Sequence, residues 1–241
     1  MNAQWRALMA ALRFDTRLAA VALRGERVAD LGAAARYFPV AGALVGAMGG
    51  AAYWLGTQLW PTSVAVVLSM LATTAMSGGT YQIAGTEQPA DRLAQETRGH
   101  AFAMVAYVFA LLLKYNALMA LSAAGLPFAV PANMALGLIM ICGHAGACAV
   151  IISLVASPTG ASSTRISNGD LGVGLVIGFA PAALLGIPGL VGLAAAILAR
   201  VGYGAYVKRN TRTVGGAELY AGQQLCEVCF YLGTLASSAY V

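Results

Sequence analysis

Residues 38–60, FPVAGALVGAMGGAAYWLGTQLW, form a long apolar run without a charged residue. A helix that crosses a bilayer needs about 20 mostly apolar residues, because the hydrocarbon core is about 30 Å thick. A second apolar run, 62–77 (TSVAVVLSMLATTAMS), follows directly after Pro61. Backbone polar groups in lipid must be hydrogen-bonded within the segment, so both runs are predicted to be helices. The sequence therefore predicts a helical hairpin in a membrane.

The remaining apolar runs extend this pattern along the chain. They cover residues 101–123, 133–157, 171–207 and about 224–241. The third of these contains Gly186-Ile187-Pro188-Gly189, which indicates a turn between two short spans. The predicted fold class is all-α, a polytopic membrane helix bundle of about seven spans. The count falls to six if the glycine-proline segment is only a kink.

The composition excludes an ordinary soluble domain. Of the 241 residues, 59% are hydrophobic and 10% are charged, and the mean hydropathy is +0.74. Soluble domains carry about 25% charged residues, so lipid must cover part of this surface. The net charge is +5, but the basic residues do not form a stripe with aromatic residues between them, so no nucleic-acid partner is predicted. The motif Cys226-x-x-Cys229 has no second pair and no histidine nearby, which favours packing over zinc or redox chemistry.

The basic residues predict the orientation of the bundle. Apart from Lys114, which lies inside a span, they are Arg6, Arg13, Arg17, Arg24, Arg27, Arg36, Arg92, Arg98, Arg165, Arg200, Lys208, Arg209 and Arg212. With seven spans they all fall on one face, and by the positive-inside rule that face and the N-terminus are cytoplasmic. The acidic residues, Glu227 among them, are expected at or near the same face. Polar chemistry is therefore expected at that face.

The predicted organisation has two parts. Residues 1–37 form a cytoplasmic or interfacial amphipathic segment, either lying along the membrane surface or packed on the bundle. Residues 38–241 form the bundle, whose predicted cytoplasmic loops are residues 78–100, 158–170 and 208–222. Localisation in a membrane is expected, and a homo-oligomer is left open.

Two of these loops carry candidate chemistry. In the first, Glu87 and Asp91 follow a glycine pair, and such carboxylates could hold Mg²⁺ on a diphosphate substrate. In the second, Lys208 and Arg209 precede Gly215-Gly216 and Glu218, an arrangement typical of a phosphate cradle. The alternative for the first is a plain solvated loop. For the second, the alternative is that Lys208 and Arg209 are present only because cytoplasmic loops of membrane proteins are rich in Lys and Arg.

Polar side chains also occur inside predicted spans. Lys114 lies near the middle of the third span, and a charge at that depth is a functional hypothesis by default. His144 lies among small residues in GHAGACA, which favours a packing and hydrogen-bonding role over a ligand role.

Five collinear segments together resemble the cobalamin synthase family, the adenosylcobinamide-GDP ribazoletransferases. They are WRALMAALRFDTRL, AARYFPVAGALVGAMGGAAYWLGTQLWP, VAVVLSMLATTAMSGG, TRGHAFAMVAYVFALLLKYNALMAL and GGAELYAGQQLCEVCFYLGTLA. The resemblance implies an enzyme of the bacterial inner membrane that joins adenosylcobinamide-GDP to α-ribazole or its 5'-phosphate, releases GMP and uses Mg²⁺. It implies catalytic roles for Arg98, Lys114 and Glu227. Gly78, Gly79, Gly215 and Gly216 match family positions and are expected, with Lys208 and Arg209, to bind substrate.

The chain departs from the family in its acidic loops. The family pattern G-G-x-H-x-D-G-L-A-D after the second span is replaced by GGTYQIAGTEQPADRL, and the T-G-D after Gly215-Gly216 is replaced by AELY. Glu87, Asp91 and Glu218 are the candidate metal ligands that remain. The alternative function is therefore a catalytically inactive or repurposed relative that binds a corrinoid or nucleotide or serves as a membrane scaffold. An unrelated transporter ranks last, because too few polar residues lie at membrane depth.

Overall fold

The structure, a computed structural model, describes residues 3–15, 31–77, 93–124, 131–156, 166–210 and 216–238. All of its regular elements in these ranges are helical, which confirms the all-α prediction. The helices are α1 (Ala3–Asp15), α2 (Leu31–Ala34), a 3-10 turn (Ala35–Tyr37), α3 (Phe38–Thr57), α4 (Thr62–Met76), α5 (Leu93–Ala123), α6 (Ala132–Val155), α7 (Asn168–Leu184), α8 (Gly186–Asn210) and α9 (Gly216–Ser238).

Helix starts follow local signals in the sequence. Pro61 and Pro131 stand at the N-caps of α4 and α6, where proline's extended backbone ends the preceding segment. The hydroxyl of Ser167 caps α7 by accepting a hydrogen bond from the backbone N–H of Asp170 at 3.0 Å. Pro61 thus separates the first two long helices, as predicted.

The glycine-proline segment makes a reversal between two helices. α7 ends at Leu184 and α8 begins at Gly186, whose φ of 65° suits a residue without a side chain. At the start of α7, Asp170 pairs with Arg36 at 2.9 Å. Late in α8, a guanidinium N–H of Arg200 donates to the carbonyl of Ser153 at 2.8 Å. Because both contacts lie at the same end of the bundle, α7 and α8 run in opposite directions, and the segment is a turn rather than a kink.

Several helix termini meet at this end, which we call the basic end. The start of α3 and the end of α6 pack together there through Phe38, Ile152 and Val155. The start of α9 joins them, since the hydroxyl of Tyr203 in α8 donates to the carbonyl of Glu218 at 2.8 Å. Arg36, Arg200, Lys208 and Arg209 all belong to this end, in agreement with the one-sided charge of the sequence.

Helix α6 lies at the centre and packs closely on α3 through glycines. A Cβ on Gly46 would lie 2.5 Å from the carbonyl oxygen of Met140, and one on Gly50 would lie 2.9 Å from Cα of Gly137. In lipid the hydrophobic effect does not drive helices together, so they associate by close packing, which small residues allow. The order of these contacts makes α3 and α6 antiparallel.

Four helices in the described ranges are long and apolar enough to cross a membrane: Gly32–Thr57, Met104–Ala123, Met134–Val155 and Gly186–Arg209. Thr62–Met76 and Asn168–Leu184 are apolar but shorter, and α9 is not among the four. The segment of α6 is mostly buried, whereas those of α5 and α8 turn most of their apolar surface outward. The architecture is that of a polytopic membrane protein, and the count of seven spans stays a prediction.

Helices reach further than the predicted spans. α5 already begins at Leu93 and α9 at Gly216, so the connections predicted at 78–100 and 208–222 are shorter than expected. Intrahelical hydrogen bonds hold these polar turns as helix without any need for lipid around them. At the other terminus, α1 packs on α2 and α3 with Ala7 and Ala11 buried and Trp5 exposed.

Candidate functional site

A group of four buried polar side chains joins α5, α6 and α9. We call it the polar cluster; its members are Lys114, His144, Glu227 and Tyr231. The Lys114 Nζ lies 2.6 Å from Glu227 Oε1, and the two side chains are 2% and 0% exposed. The Tyr231 hydroxyl donates to the same oxygen at 2.8 Å, and His144 Nε2 lies 3.2 Å from it. Three groups therefore converge on a single carboxylate oxygen.

The cluster lies halfway along α6 and α9. Glu227 is 11 residues from each end of α9, and His144 is 12 and 11 residues from the ends of α6. The expectation that Glu227 lies at or near the cytoplasmic face is wrong. α9 begins eight residues earlier than the predicted span at 224, and this places Glu227 at the depth of Lys114. A buried charge is tolerated when an opposite charge and hydrogen bonds compensate it. Lys114 and Glu227 each supply the opposite charge that the other needs.

The geometry around His144 requires a proton on the side of Glu227. His144 Nδ1 lies 3.0 Å from the carbonyl oxygen of Met140, and a carbonyl can only accept, so Nδ1 carries a hydrogen. The contact between Nε2 and Glu227 Oε1 then also needs a hydrogen, held by either the imidazole or the carboxyl. The Tyr231 hydroxyl lies 3.2 Å from Nδ1 and completes the arrangement. The four side chains thus form one connected hydrogen-bonded group.

Close packing holds the cluster in place. Gly143 allows the ring of Tyr231 to approach α6, because a Cβ there would lie 2.6 Å from Tyr231 Cε1. The ring of Phe230 lies edge-on to that of Tyr231, with 6.0 Å between the centroids. The Lys114 ammonium also lies 6.0 Å from the centroid of the Tyr231 ring, within the range of a cation–π contact. Tyr231 therefore contacts the other members of the polar cluster with both its hydroxyl and its ring.

The two carboxylate oxygens of Glu227 differ in their hydrogen bonding. Oε1 takes all three contacts, whereas the buried Oε2 has no hydrogen-bond partner among the described residues. A carboxylate has about four acceptor positions, two on each oxygen. Leaving a buried acceptor unmet costs about 1–3 kcal/mol or more when it is charged.

Of the residues predicted as catalytic, the structure brings together Lys114 and Glu227. Arg98 belongs to the first part of α5, and only its backbone is described. It precedes Lys114 by 16 residues, which corresponds to about 24 Å along a helix axis. Arg98 therefore belongs near the basic end and away from the polar cluster.

The predicted substrate-binding and metal residues gather near the basic end where they are described. Lys208 and Arg209 are exposed in the last turn of α8. Gly216 is the first residue of α9, and Glu218 is half-buried in its first turn. The other predicted residues lie outside the described ranges; they are Gly78, Gly79, Glu87, Asp91 and Gly215.

Within the described ranges, no three His, Cys, Asp or Glu side chains come together as a metal site. Glu218 is the one predicted metal ligand in those ranges, and a single carboxylate does not make a Mg²⁺ site. The described residues therefore do not fit the metal by themselves. The four cysteines all lie in described helices, three of them buried, and form no disulfide there.

The hydrogen-bonding role predicted for His144 agrees with its contacts to Met140 and Tyr231. Its position beside Glu227 was not predicted, and Tyr231 was not singled out. A signal for Tyr231 was present, because it follows Glu227 by four residues and so shares its helix face. Nothing in the sequence links His144 to that face, since the contact depends on how α6 packs against α9.

The fold and the cluster define a class: a polytopic helical membrane protein with a buried ion pair and one basic end. The family model described as Cobalamin-5-phosphate synthase matches residues 7–82 and 92–235. The chain belongs to this family, as the five collinear segments indicated. The match leaves out residues 83–91, the interval that holds Glu87 and Asp91.

Curated relatives agree with the family. An adenosylcobinamide-GDP ribazoletransferase of Ralstonia pickettii is 34% identical, and the alignment covers 98% of each chain. One of Leptothrix cholodnii is 32% identical over 96% of this chain and 95% of its own. One of Polaromonas sp. is 30% identical over 96% of this chain and 97% of its own. No solved structure matches the chain.

Proposed function

We propose that the chain is an adenosylcobinamide-GDP ribazoletransferase, which joins adenosylcobinamide-GDP to α-ribazole or its 5'-phosphate with release of GMP. The observation that carries the proposal is the family match, which runs from residue 7 to residue 235 with one short interruption. The relatives named for this activity align with 96–98% of the chain. The match therefore runs along nearly the full length of this chain and of these relatives.

The reaction replaces the phosphoanhydride bond of the GDP group by a phosphate ester bond to the ribazole. A hydroxyl oxygen of the ribazole forms a bond to the cobinamide-linked phosphorus, the bond from that phosphorus to the GMP oxygen breaks, and the hydroxyl proton is released. Catalysis of such transfers is mainly positioning and neutralisation of phosphate charge. Lys208 and Arg209 support this role, because both are exposed cations at the basic end. Arg98 and the glycines Gly78, Gly79, Gly215 and Gly216 complete the proposed binding region.

Magnesium dependence belongs to the proposal. Mg²⁺ would neutralise the diphosphate, and the proposed ligands are Glu87, Asp91 and Glu218. The described residues do not form the site alone, so no step is assigned to the metal.

For Lys114 and Glu227 the burial favours a positioning role. Side chains that are 2% and 0% exposed cannot reach a large substrate without rearrangement of the helices. Their pairing instead fixes α5 against α9, and both helices lead to the basic end. We propose that the pair sets the distance between the two loops that bind substrate.

The second candidate is a relative that binds a corrinoid or nucleotide without turnover. It is favoured by one observation: the family match is interrupted at 83–91, where two of the three candidate metal ligands lie. Loss of metal ligands abolishes phosphoryl transfer more readily than binding, because binding also draws on the cations.

We also propose that the protein resides in the bacterial cytoplasmic membrane, with the basic end toward the cytoplasm. The support is the one-sided distribution of Lys and Arg and the bacterial origin of the relatives.

The test is GMP release by the purified protein in lipid nanodiscs with Mg²⁺, adenosylcobinamide-GDP and α-ribazole. We expect release that requires both substrates, and α-ribazole 5'-phosphate in a parallel reaction identifies the preferred acceptor. Glu87→Ala combined with Asp91→Ala should abolish it, whereas Gln58→Ala, an exposed change at the opposite end, should not. Binding of the corrinoid without GMP release would favour the second candidate.

A further inference from the structure

We propose that a file of ordered water runs along one face of α9, from Tyr220 at the basic end to Glu227 in the polar cluster. This inference does not depend on the proposed function. It concerns how a buried ion pair halfway through the bundle is reached from the aqueous phase.

The face is defined by the spacing of its polar residues. Tyr220, Gln223, Glu227 and Tyr231 follow one another at intervals of three, four and four residues. Such spacing places side chains above one another on a single side of a helix. Counting from Gly216, Tyr220 lies about 6 Å and Glu227 about 16 Å along the axis, so the row extends inward from the basic end.

Unpartnered polar atoms are concentrated on this face. Five buried side-chain nitrogen or oxygen atoms in the described ranges have no hydrogen-bond partner. Three of them are Tyr220 Oη, Gln223 Nε2 and Glu227 Oε2. Gln223 is 6% exposed and Glu227 is 0% exposed, so bulk solvent does not satisfy these atoms directly. Buried polar groups in native proteins are almost always bonded, so Gln223 Nε2 and Glu227 Oε2 each need a partner. Tyr220 Oη has other hydroxyl groups beside it and marks where the row begins.

The chemistry of the three atoms specifies the partner. The Glu227 carboxylate oxygen can only accept when ionised, the Gln223 amide nitrogen can only donate, and the Tyr220 hydroxyl does both. A kind of molecule that can bond to each of the three atoms must both donate and accept hydrogen bonds. Water does so, is small enough for sites with this little exposure, and typically makes about three bonds when buried.

The outer end of the row is rich in hydroxyl groups. Ser77 at the end of α4 and Tyr107 in α5 both lie beside the Tyr220 hydroxyl. Three helices thus contribute a hydroxyl at the point where the row meets the basic end. This is a polar entrance in an otherwise apolar bundle, and it identifies the basic end as the source of the water.

Hydroxyl-radical footprinting by X-ray radiolysis tests the proposal on the full-length protein in nanodiscs. Radicals formed from bound water label nearby side chains even when these are inaccessible to solvent. The matched pair is Tyr231, which is 0% exposed, and Tyr53, which is 4% exposed and belongs to α3, outside the row on α9. We expect Tyr231 and Tyr220 to be oxidised several-fold faster than Tyr53.

One variant tests where along the row the water lies. Gln223→Leu keeps the volume but removes the amide, so it should reduce the labelling of Tyr231 while Tyr220 stays labelled. Equal, slow oxidation of Tyr231 and Tyr53 in the native protein would overturn the proposal. So would unchanged labelling of Tyr231 in a folded Gln223→Leu protein, with folding checked by size-exclusion elution. If that variant does not fold, the comparison of Tyr231 with Tyr53 decides.

Discussion

Replacing Lys114 by Met is expected to destabilise the protein severely. The methionine has nearly the length of the lysine and suits an apolar interior, so the change removes the charge with little loss of volume. It leaves the Glu227 carboxyl buried and without its cation, whose nitrogen lies 2.6 Å from Oε1. Removing one partner of a buried pair is far more costly than removing both.

The magnitude follows from the geometry. At 2.6 Å and an effective dielectric constant of about 20, Coulomb's law gives about 6 kcal/mol for the attraction. His144 and Tyr231 still contact Oε1 after the change and offset part of this loss. We therefore expect the free energy of unfolding to fall by about 3–5 kcal/mol.

The assay is reversible unfolding in mixed micelles with an increasing fraction of denaturing detergent. Lys114→Met is compared with Lys114→Met/Glu227→Gln, in which the carboxyl is replaced by a neutral amide that still accepts from Tyr231. The double variant should recover most of the loss. Leu113→Met is the matched control, because that neighbouring side chain is 49% exposed on the outer side of α5.

Two outcomes would refute the reasoning. One is a Lys114→Met protein within about 0.5 kcal/mol of the parent, the size of an ordinary surface change. The other is a double variant as unstable as the single one, since that would mean that the uncompensated carboxylate is not the cause.

Further predictions concern packing, capping and the metal. Gly46→Ala should lower the free energy of unfolding by about 1–3 kcal/mol, because its Cβ would lie 2.5 Å from the Met140 carbonyl oxygen. Gly172→Ala, with no atom within 4 Å of the added Cβ, should instead raise it by about 0.5–1 kcal/mol, and equal effects in the same unfolding assay would contradict the packing argument. Ser167→Ala removes the cap of α7 and should cost about 1 kcal/mol, which Ser167→Asn should restore. Chelation by EDTA should stop GMP release and added Mg²⁺ should restore it; release that persists in excess EDTA would exclude the metal.

The helices were predictable because lipid imposes a strong and simple constraint. The apolar runs from 38 to 77 gave α3 and α4, and the glycine-proline segment gave the turn between α7 and α8. The start of α9 was placed too late, because its first turns are polar and hydropathy alone does not report helix outside the apolar run. The depth assigned to Glu227 was wrong for the same reason.

The polar cluster was only half predictable. A lysine inside an apolar span stands out in any sequence, and Glu227 matched the family. Their pairing, and the addition of His144, depend on the rotation of α5, α6 and α9 about their axes. That rotation is set by contacts such as the one between Gly143 and Tyr231, which join residues far apart in the chain. Local sequence patterns carry no information about it.

The most direct test of the proposed activity is the mass of the corrinoid product. Purified protein with Mg²⁺, adenosylcobinamide-GDP and α-ribazole should yield a corrinoid that carries the ribazole through a single phosphate, together with an equal amount of GMP. The product should be absent when neither α-ribazole nor α-ribazole 5'-phosphate is added. Recovery of unchanged adenosylcobinamide-GDP with either acceptor, from protein that is folded and in lipid, would contradict the assignment as a transferase.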